Sequence, residues 1–367
     1  MDEVRPRIAV VGATRPNFVK IAPLLRTLEP RALVDFAHTG QHYDWKMSGS
    51  FFEDLEIRSP DINLEVGSGT HAEQTAGVLV AFERHLVETQ PDAVVVVGDV
   101  NSTLASALAA ATLGVRVAHV EAGLRSRDWA MPEEINRILT DRLSTWLFTP
   151  SQGANANLEA EGISQENVFL VGNIMIDSLL QVLPAARGRF EEMRRRLELP
   201  EHYGVITLHR PSNVDGDRLE PVMKCLNEIG REMPLVFPVH PRTAQRLRDL
   251  GLSFEQSVLA IEPLGYRDFL GLLDASTVAF TDSGGVQEET SVLGVPCLTL
   301  RDSTERPITT ELGTNRVVGR DRDAILAGFS RALEQGRSEA AIPLWDGQTA
   351  PRIADTLIEA LTHSGTE

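Results

Sequence analysis

Cysteine is nearly missing from this 367-residue chain, and so is any excess of basic charge. Only Cys225 and Cys297 occur, far apart and without metal-ligand spacing, which excludes a disulfide framework and argues against a bound metal; both read as small buried hydrophobes. Lys and Arg total 35 against 52 Asp and Glu, and a net charge of −17 removes the extended basic face that a nucleic acid or an anionic membrane would need. No apolar run is long enough to cross a bilayer: the richest stretch, Leu104 to Val120, is alanine-rich and interrupted by Arg116. The opening Met-Asp-Glu-Val-Arg-Pro-Arg leads into a short β-run rather than an apolar leader. Repeats and low-complexity tracts are absent as well. A soluble, cytoplasmic protein is the expectation.

What is present is alternation. Short β-rich runs are separated by longer helical patterns, the mark of parallel sheets covered by helices on both faces. The spacing predicts strands at Ile8–Val11, Val34–His38, Ala93–Val97, Arg116–Val120, Trp146–Thr149 and Val168–Leu170. A second series follows at Tyr203–Leu208, Leu235–Val239, Val258–Ile261, Val278–Phe280, Cys297–Thr299 and Asn315–Val317. With 42% hydrophobic residues the chain can bury two cores. The division falls near Val171 to Gln181, before a charged helix at Phe190–Leu197, and pattern alone does not place the last helix, Arg352–Thr362.

Polar residues follow the strands in a regular way. Val97 precedes Gly98-Asp99, Val120 precedes Glu121, Leu208 precedes His209-Arg210, Val239 precedes His240, and Thr281 precedes Asp282. Ligands of open α/β sheets bind beyond the carboxyl ends of the strands, so these side chains are expected in one crevice between two domains. The run Thr281-Asp-Ser-Gly-Gly-Val-Gln-Glu-Glu289 takes a strand through a glycine pair into a helix, where free N–H groups attract phosphate. Such a pair is also ordinary turn punctuation. Gly12-Ala-Thr-Arg-Pro-Asn-Phe-Val-Lys20 lacks the third glycine of a dinucleotide loop, yet puts Arg15 and Lys20 in a helix's opening turns, where cations oppose the dipole unless an anion lies nearby. Arg137, His209, Arg210 and Arg306 complete the motif-borne cations. Asp99, Glu121, Glu133 and His209 beside a phosphate turn suit proton transfer next to a phosphate leaving group. Glu134 reads as part of a plain helix start after Pro132.

Taken in order, the motifs Gly12–Pro16, Thr39-Gly-Gln-His-Tyr-Asp44, Val97–Thr103, His119-Val-Glu-Ala-Gly-Leu-Arg125, Met131–Arg137, Thr207–Arg210, Thr281–Glu289 and Arg301-Asp-Ser-Thr-Glu-Arg306 resemble the non-hydrolysing UDP-N-acetylglucosamine 2-epimerase family over nearly the whole chain. The resemblance implies an α/β fold of two Rossmann-like domains with parallel sheets, of the glycosyltransferase-B type, with the active site in the interdomain cleft. It implies an N-terminal domain over 1–172 joined by the final helix, 351–367, and a UDP-binding domain over 173–350. The implied enzyme is an isomerase without cofactor or metal: the carbon 2 proton and UDP leave to give 2-acetamidoglucal, and UDP re-adds after reprotonation on the other face, so that UDP-GlcNAc and UDP-ManNAc interconvert, a step toward cell-surface polysaccharide. Asp99, Glu121 and Glu133 would be the acid/base carboxylates, with His209 supporting catalysis. Arg15, Ser283, Gly284, Gly285 and Arg306 would hold the diphosphate, Glu289 the ribose and Phe269 the uracil, with Lys20 and Arg137 close to the reacting sugar. The partner is a UDP-sugar, and a homodimer is implied.

Some positions depart from the family pattern. Many members that are activated by their own substrate carry Gln or Glu where this chain has Asp44, so activation through Gln41, His42 and His240 is not implied. Gln-His-Tyr-Asp and His240-Pro-Arg-Thr243 look more like the branch containing epimerases of UDP-2,3-diacetamido-glucuronate, which keeps that substrate as an alternative. A hydrolysing relative that releases ManNAc and UDP is another. Ala13, where Thr is frequent, is a mild change.

Overall fold

A computed structural model describes residues 5–40, 52–214 and 219–363, without the side chains of Arg15, Pro211, Ser212 and Arg242. Gln41, His42 and Asp44 therefore lie outside the described residues. The chain divides into two compact units, Met1–Ser178 with Pro343–Glu367 and Leu179–Ile342. Each is an α/β unit built on an all-parallel sheet, the two Rossmann-like layers that the alternation predicts.

In the first unit the strands are β1 (Arg7–Gly12), β2 (Leu33–His38), β3 (Ile62–Asn63), β4 (Ala93–Val97), β5 (Arg116–Val120), β6 (Trp146–Thr149) and β7 (Val168–Leu170). They lie in the order β3-β2-β1-β4-β5-β6-β7. In the second unit β8 (Gly204–Thr207), β9 (Leu235–Pro238), β10 (Val258–Ile261), β11 (Val278–Thr281), β12 (Cys297–Thr299) and β13 (Asn315–Val317) lie in the order β10-β9-β8-β11-β12-β13. Every predicted strand forms, with ends shifted by a residue or two; β3 is the addition. Sheet order reverses direction between β1 and β4 and again between β8 and β11, and at such a switch point the two flanking helices run to opposite faces and leave a crevice above the strand ends.

Burial explains why these runs become central strands. Val94, Val95 and Val96 are fully buried, because helices cover both faces, and a continuous valine run fits that environment better than an alternating one. In the second unit Phe237 of β9 and Phe280 of β11 are buried in the same way, and Phe329, on the helix Arg322–Gln335, lies tilted against Phe280 at 6.0 Å between ring centres.

Two helices depart from expectation. The helix predicted from Phe190 begins much earlier and runs Ile174–Arg196, with Pro184 inside it. The last helix, Thr349–His363, packs on the helix Arg15–Leu28 of the first unit and is tied at its start by Asp177, whose carboxylate accepts from the backbone N–H of Thr349 at 3.2 Å and of Ala350 at 2.7 Å.

Candidate active site

The carboxyl ends of β1, β4 and β5 assemble one corner of the first unit. Asn17, in the helix Arg15–Leu28, accepts from the Ala13 N–H at 3.1 Å and donates to the Val97 carbonyl at 2.9 Å, stapling the two strand ends across the switch point. One turn further along that helix, the Lys20 ammonium is ion-paired with Glu121. Gly98 makes room for the pair. It has φ +74°, and a Cβ there would lie 3.3 Å from the Glu121 Oε2 and 3.4 Å from the Lys20 Nζ. Glu121 itself is 5% exposed and has φ +70°, a left-handed backbone that costs a non-glycine residue energy. The turn after β5 thus accepts strain to aim a carboxylate at the β1/β4 crevice.

Asp99 follows Gly98 and stays partly exposed, with its Oδ2 receiving Arg137 Nη2 at 2.6 Å. The helix Pro132–Leu143 frames it. Asn136 donates to the Asp99 carbonyl at 2.9 Å, Arg137 also binds Glu134 at 2.7 Å, and Glu133 stands half-buried in the same first turn. Glu134 is more than a helix start. It is buried and accepts from the backbone N–H of Ser126 and of Arg127, each at 2.8 Å; burial would raise its pKa, but these bonds and Arg137 hold it below the usual carboxylate range. Below the corner, fully buried His119 bridges Asp141 at 2.6 Å and the Gly98 carbonyl at 2.9 Å, fixing the peptide that carries Asp99.

The second unit builds a different device from β8 and β11. Asp282, fully buried, accepts from the backbone N–H of His209 at 3.1 Å and of Arg210 at 3.0 Å, and from the Asn213 amide at 3.1 Å. The His209 Nδ1 lies 3.1 Å from the same carboxylate while about half of the ring is exposed. Burial would raise the Asp282 pKa; His209 and the backbone donors overcome it and hold the pKa low. Asp282 therefore holds the turn after β8 and orients His209.

Ser283 precedes the helix Gly284–Leu293 without a side-chain cap, so the first amides of that helix are left to other acceptors. Arginines crowd this end. A Cβ on Gly284 would lie 2.8 Å from Arg306 Nη1, so only glycine lets the guanidinium approach the helix start this closely. Arg306 is paired with Glu288 at 2.8 Å and Glu305 at 3.1 Å, and Glu305 also holds Arg210 at 2.9 Å and Arg301 at 2.8 Å. Further along the helix, Glu289 is buried against Tyr266; burial pushes its carboxyl up to about 8, the Tyr266 hydroxyl pulls the other way, and Glu288 adds to the rise. Phe269 lies half-buried on the helix Tyr266–Asp274.

Lys20, Asp99, Glu121 and Arg137 thus share one corner, with Glu133 at its rim, and His209, Gly284, Gly285 and Arg306 share the other unit's crevice with Ser283. Arg301, Glu305 and Tyr266, which contact these candidate residues, are not singled out by the sequence pattern. The four-residue spacing of Arg301 and Glu305 inside a motif of alternating charge was the available signal. Among the described residues no cluster of His, Cys, Asp or Glu has the makings of a metal site, and no helix is long and apolar enough to cross a membrane.

Two parallel-sheet units, one with a cluster of carboxylates at its strand ends and the other with an arginine-lined helix start, make this a two-unit α/β protein of Rossmann-like build. The family described as UDP-N-acetylglucosamine 2-epimerase matches residues 27–358, and the chain belongs to that family. UDP-N-acetylglucosamine 2-epimerase of Methanocaldococcus jannaschii is 42% identical over 96% of this chain and 98% of its own. UDP-2,3-diacetamido-2,3-dideoxy-D-glucuronate 2-epimerase of Pseudomonas aeruginosa is 40% identical over 95% and 98%. The crystal structure of the M. jannaschii enzyme in complex with UDP-GlcNAc and UDP superposes with a TM-score of 0.89, covering 96% of this chain and 99% of that one at 41% identity.

Proposed function

We propose that the protein is a non-hydrolysing 2-epimerase that interconverts UDP-GlcNAc and UDP-ManNAc. In the forward step a base takes the proton from carbon 2, its electron pair forms the carbon 1–carbon 2 double bond, and the carbon 1–oxygen pair leaves with UDP. UDP then returns to carbon 1 as a proton is delivered to the opposite face of carbon 2. Electrons balance within the substrate, so no redox cofactor takes part. Asp99, Glu121 and Glu133 serve as acid/base groups, with Lys20 and Arg137 setting their charge. Arg15, Ser283, Gly284, Gly285 and Arg306 hold the departing diphosphate, His209 assists there, Glu289 takes the ribose and Phe269 the uracil.

One observation carries the reading: the acidic corner and the arginine cradle occupy the same topological position, the switch point, of the two sheets of one chain. The proposed reaction needs both kinds of group, proton-transfer side chains and a grip for the diphosphate. The Pseudomonas relative, as similar in extent, favours one second reading, a UDP-2,3-diacetamido-glucuronate as substrate. Homodimeric assembly in the cytoplasm belongs to the same proposal.

Product analysis by proton NMR with both UDP-sugars tests it. A nucleotide-linked epimer from UDP-GlcNAc is the expected outcome. Turnover of the diacetamido-uronate alone would move the assignment to the second reading, and free ManNAc with UDP would replace the isomerase by a hydrolase.

A further inference from the structure

Glu305 carries no part in the proposed chemistry, yet it is buried among three guanidiniums. It is 3% exposed and faces Arg210, which follows β8, Arg301, which follows β12, and Arg306 next to it in sequence. Its oxygen also lies 3.1 Å from where a Cβ of Gly284 would stand, so the carboxylate sits at the start of the helix Gly284–Leu293. Burial would neutralise such an acid; the guanidiniums of Arg306, Arg210 and Arg301 hold it far below the usual carboxylate range.

Three guanidiniums gathered at one point repel one another, and each long side chain loses rotamer freedom when fixed. One buried carboxylate offsets both costs at once. A guanidinium offers five N–H donors, and the Arg301 Nη1 is buried without a protein acceptor.

We propose that Glu305 is a positioning residue that pre-orders Arg210, Arg301 and Arg306 as a fan of donors for the diphosphate at the start of the helix Gly284–Leu293. The inference rests on the diphosphate reading of that cradle given above. It makes Arg210 and Arg301 members of the grip, and it assigns to a negative charge the task of strengthening anion binding.

That sign is what an experiment can read. If Glu305 acted only as a nearby charge, Glu305→Gln would make the cradle more positive and bind UDP more tightly. Positioning requires the reverse. Calorimetric titration of UDP is expected to show affinity at least about tenfold weaker in Glu305→Gln, the scale on which a buried charged pair is lost, while uridine, followed by ligand-observed NMR, binds as in the unaltered protein. UDP affinity equal to or above that of the unaltered protein, or an equal loss for uridine, would overturn the proposal. Should Glu305→Gln not fold, Glu305→Asp supplies the readout: it keeps the negative charge but draws the carboxylate back from the three guanidiniums, and the same selective loss of UDP over uridine is expected, its absence counting against the fan. Failure of the unaltered protein to bind UDP would instead remove the diphosphate reading itself.

Discussion

Glu289 shows how far a residue's chemistry can depart from its type. The residue sits in the helix Gly284–Leu293, its ordinary pKa of 4.5 is raised to about 8 by burial, with Tyr266 opposing and Glu288 reinforcing, and near neutrality it holds a proton. In the unfolded chain the same carboxyl is ionised above its ordinary value. Between those two values the folded state therefore carries the extra proton. Its contribution to stability is complete below the unfolded pKa and declines as pH rises through about 8, by on the order of a few kcal/mol over the window. Melting temperatures measured from pH 5 to 9 are expected to fall less in Glu289→Gln than in the unaltered protein. Parallel curves would mean that Glu289 is ionised when folded. At this scale the sequence is a partial guide. Asp99, Glu121 and Lys20 follow strand ends or open a helix and are legible there, because chain position alone brings them to a crevice. Glu305 and the protonation of Glu289 are not legible, since both depend on burial by distant segments and on which arginines arrive.

The elements were legible in proportion to their burial. Runs such as Ala93–Val97 are apolar at every position because both sheet faces are covered, and they stand out from helical periodicity. β3 has two residues, paired with Ala37 and His38, too few to carry a period. Pro184 hid the first half of the helix Ile174–Arg196, because a proline reads as a break even where the surrounding packing tolerates it. The last helix carries an apolar stripe, Ala350, Ile353, Ala354, Leu357 and Leu361, but such a stripe does not say which helix it will meet; what fixes its start is Asp177, from another element. Removing that cap by Asp177→Ala leaves the Thr349 and Ala350 amides without the acceptor and is expected to cost about 1–2 kcal/mol. Hydrogen exchange read by mass spectrometry should then speed up at the beginning of Thr349–His363 and leave the second unit unchanged. Unchanged protection of those amides would show that the cap contributes nothing.

Across the whole molecule, two sheets of the same winding divide the labour of one proposed reaction. In that proposal the first would supply groups that exchange protons and the second groups that hold negative charge, the two needs of breaking a carbon–hydrogen and a glycosidic carbon–oxygen bond in one turnover. Class and fold follow from the alternation and the motifs together with the family match. The elimination route is the claim on which the residue roles depend. The most direct measurement is the hydrogen at carbon 2 of the sugar during turnover of UDP-GlcNAc in deuterium oxide, followed by NMR and mass spectrometry. Deuterium entering carbon 2 of the nucleotide-linked epimer is the expected result, and an epimer that keeps its original hydrogen in full would contradict the account.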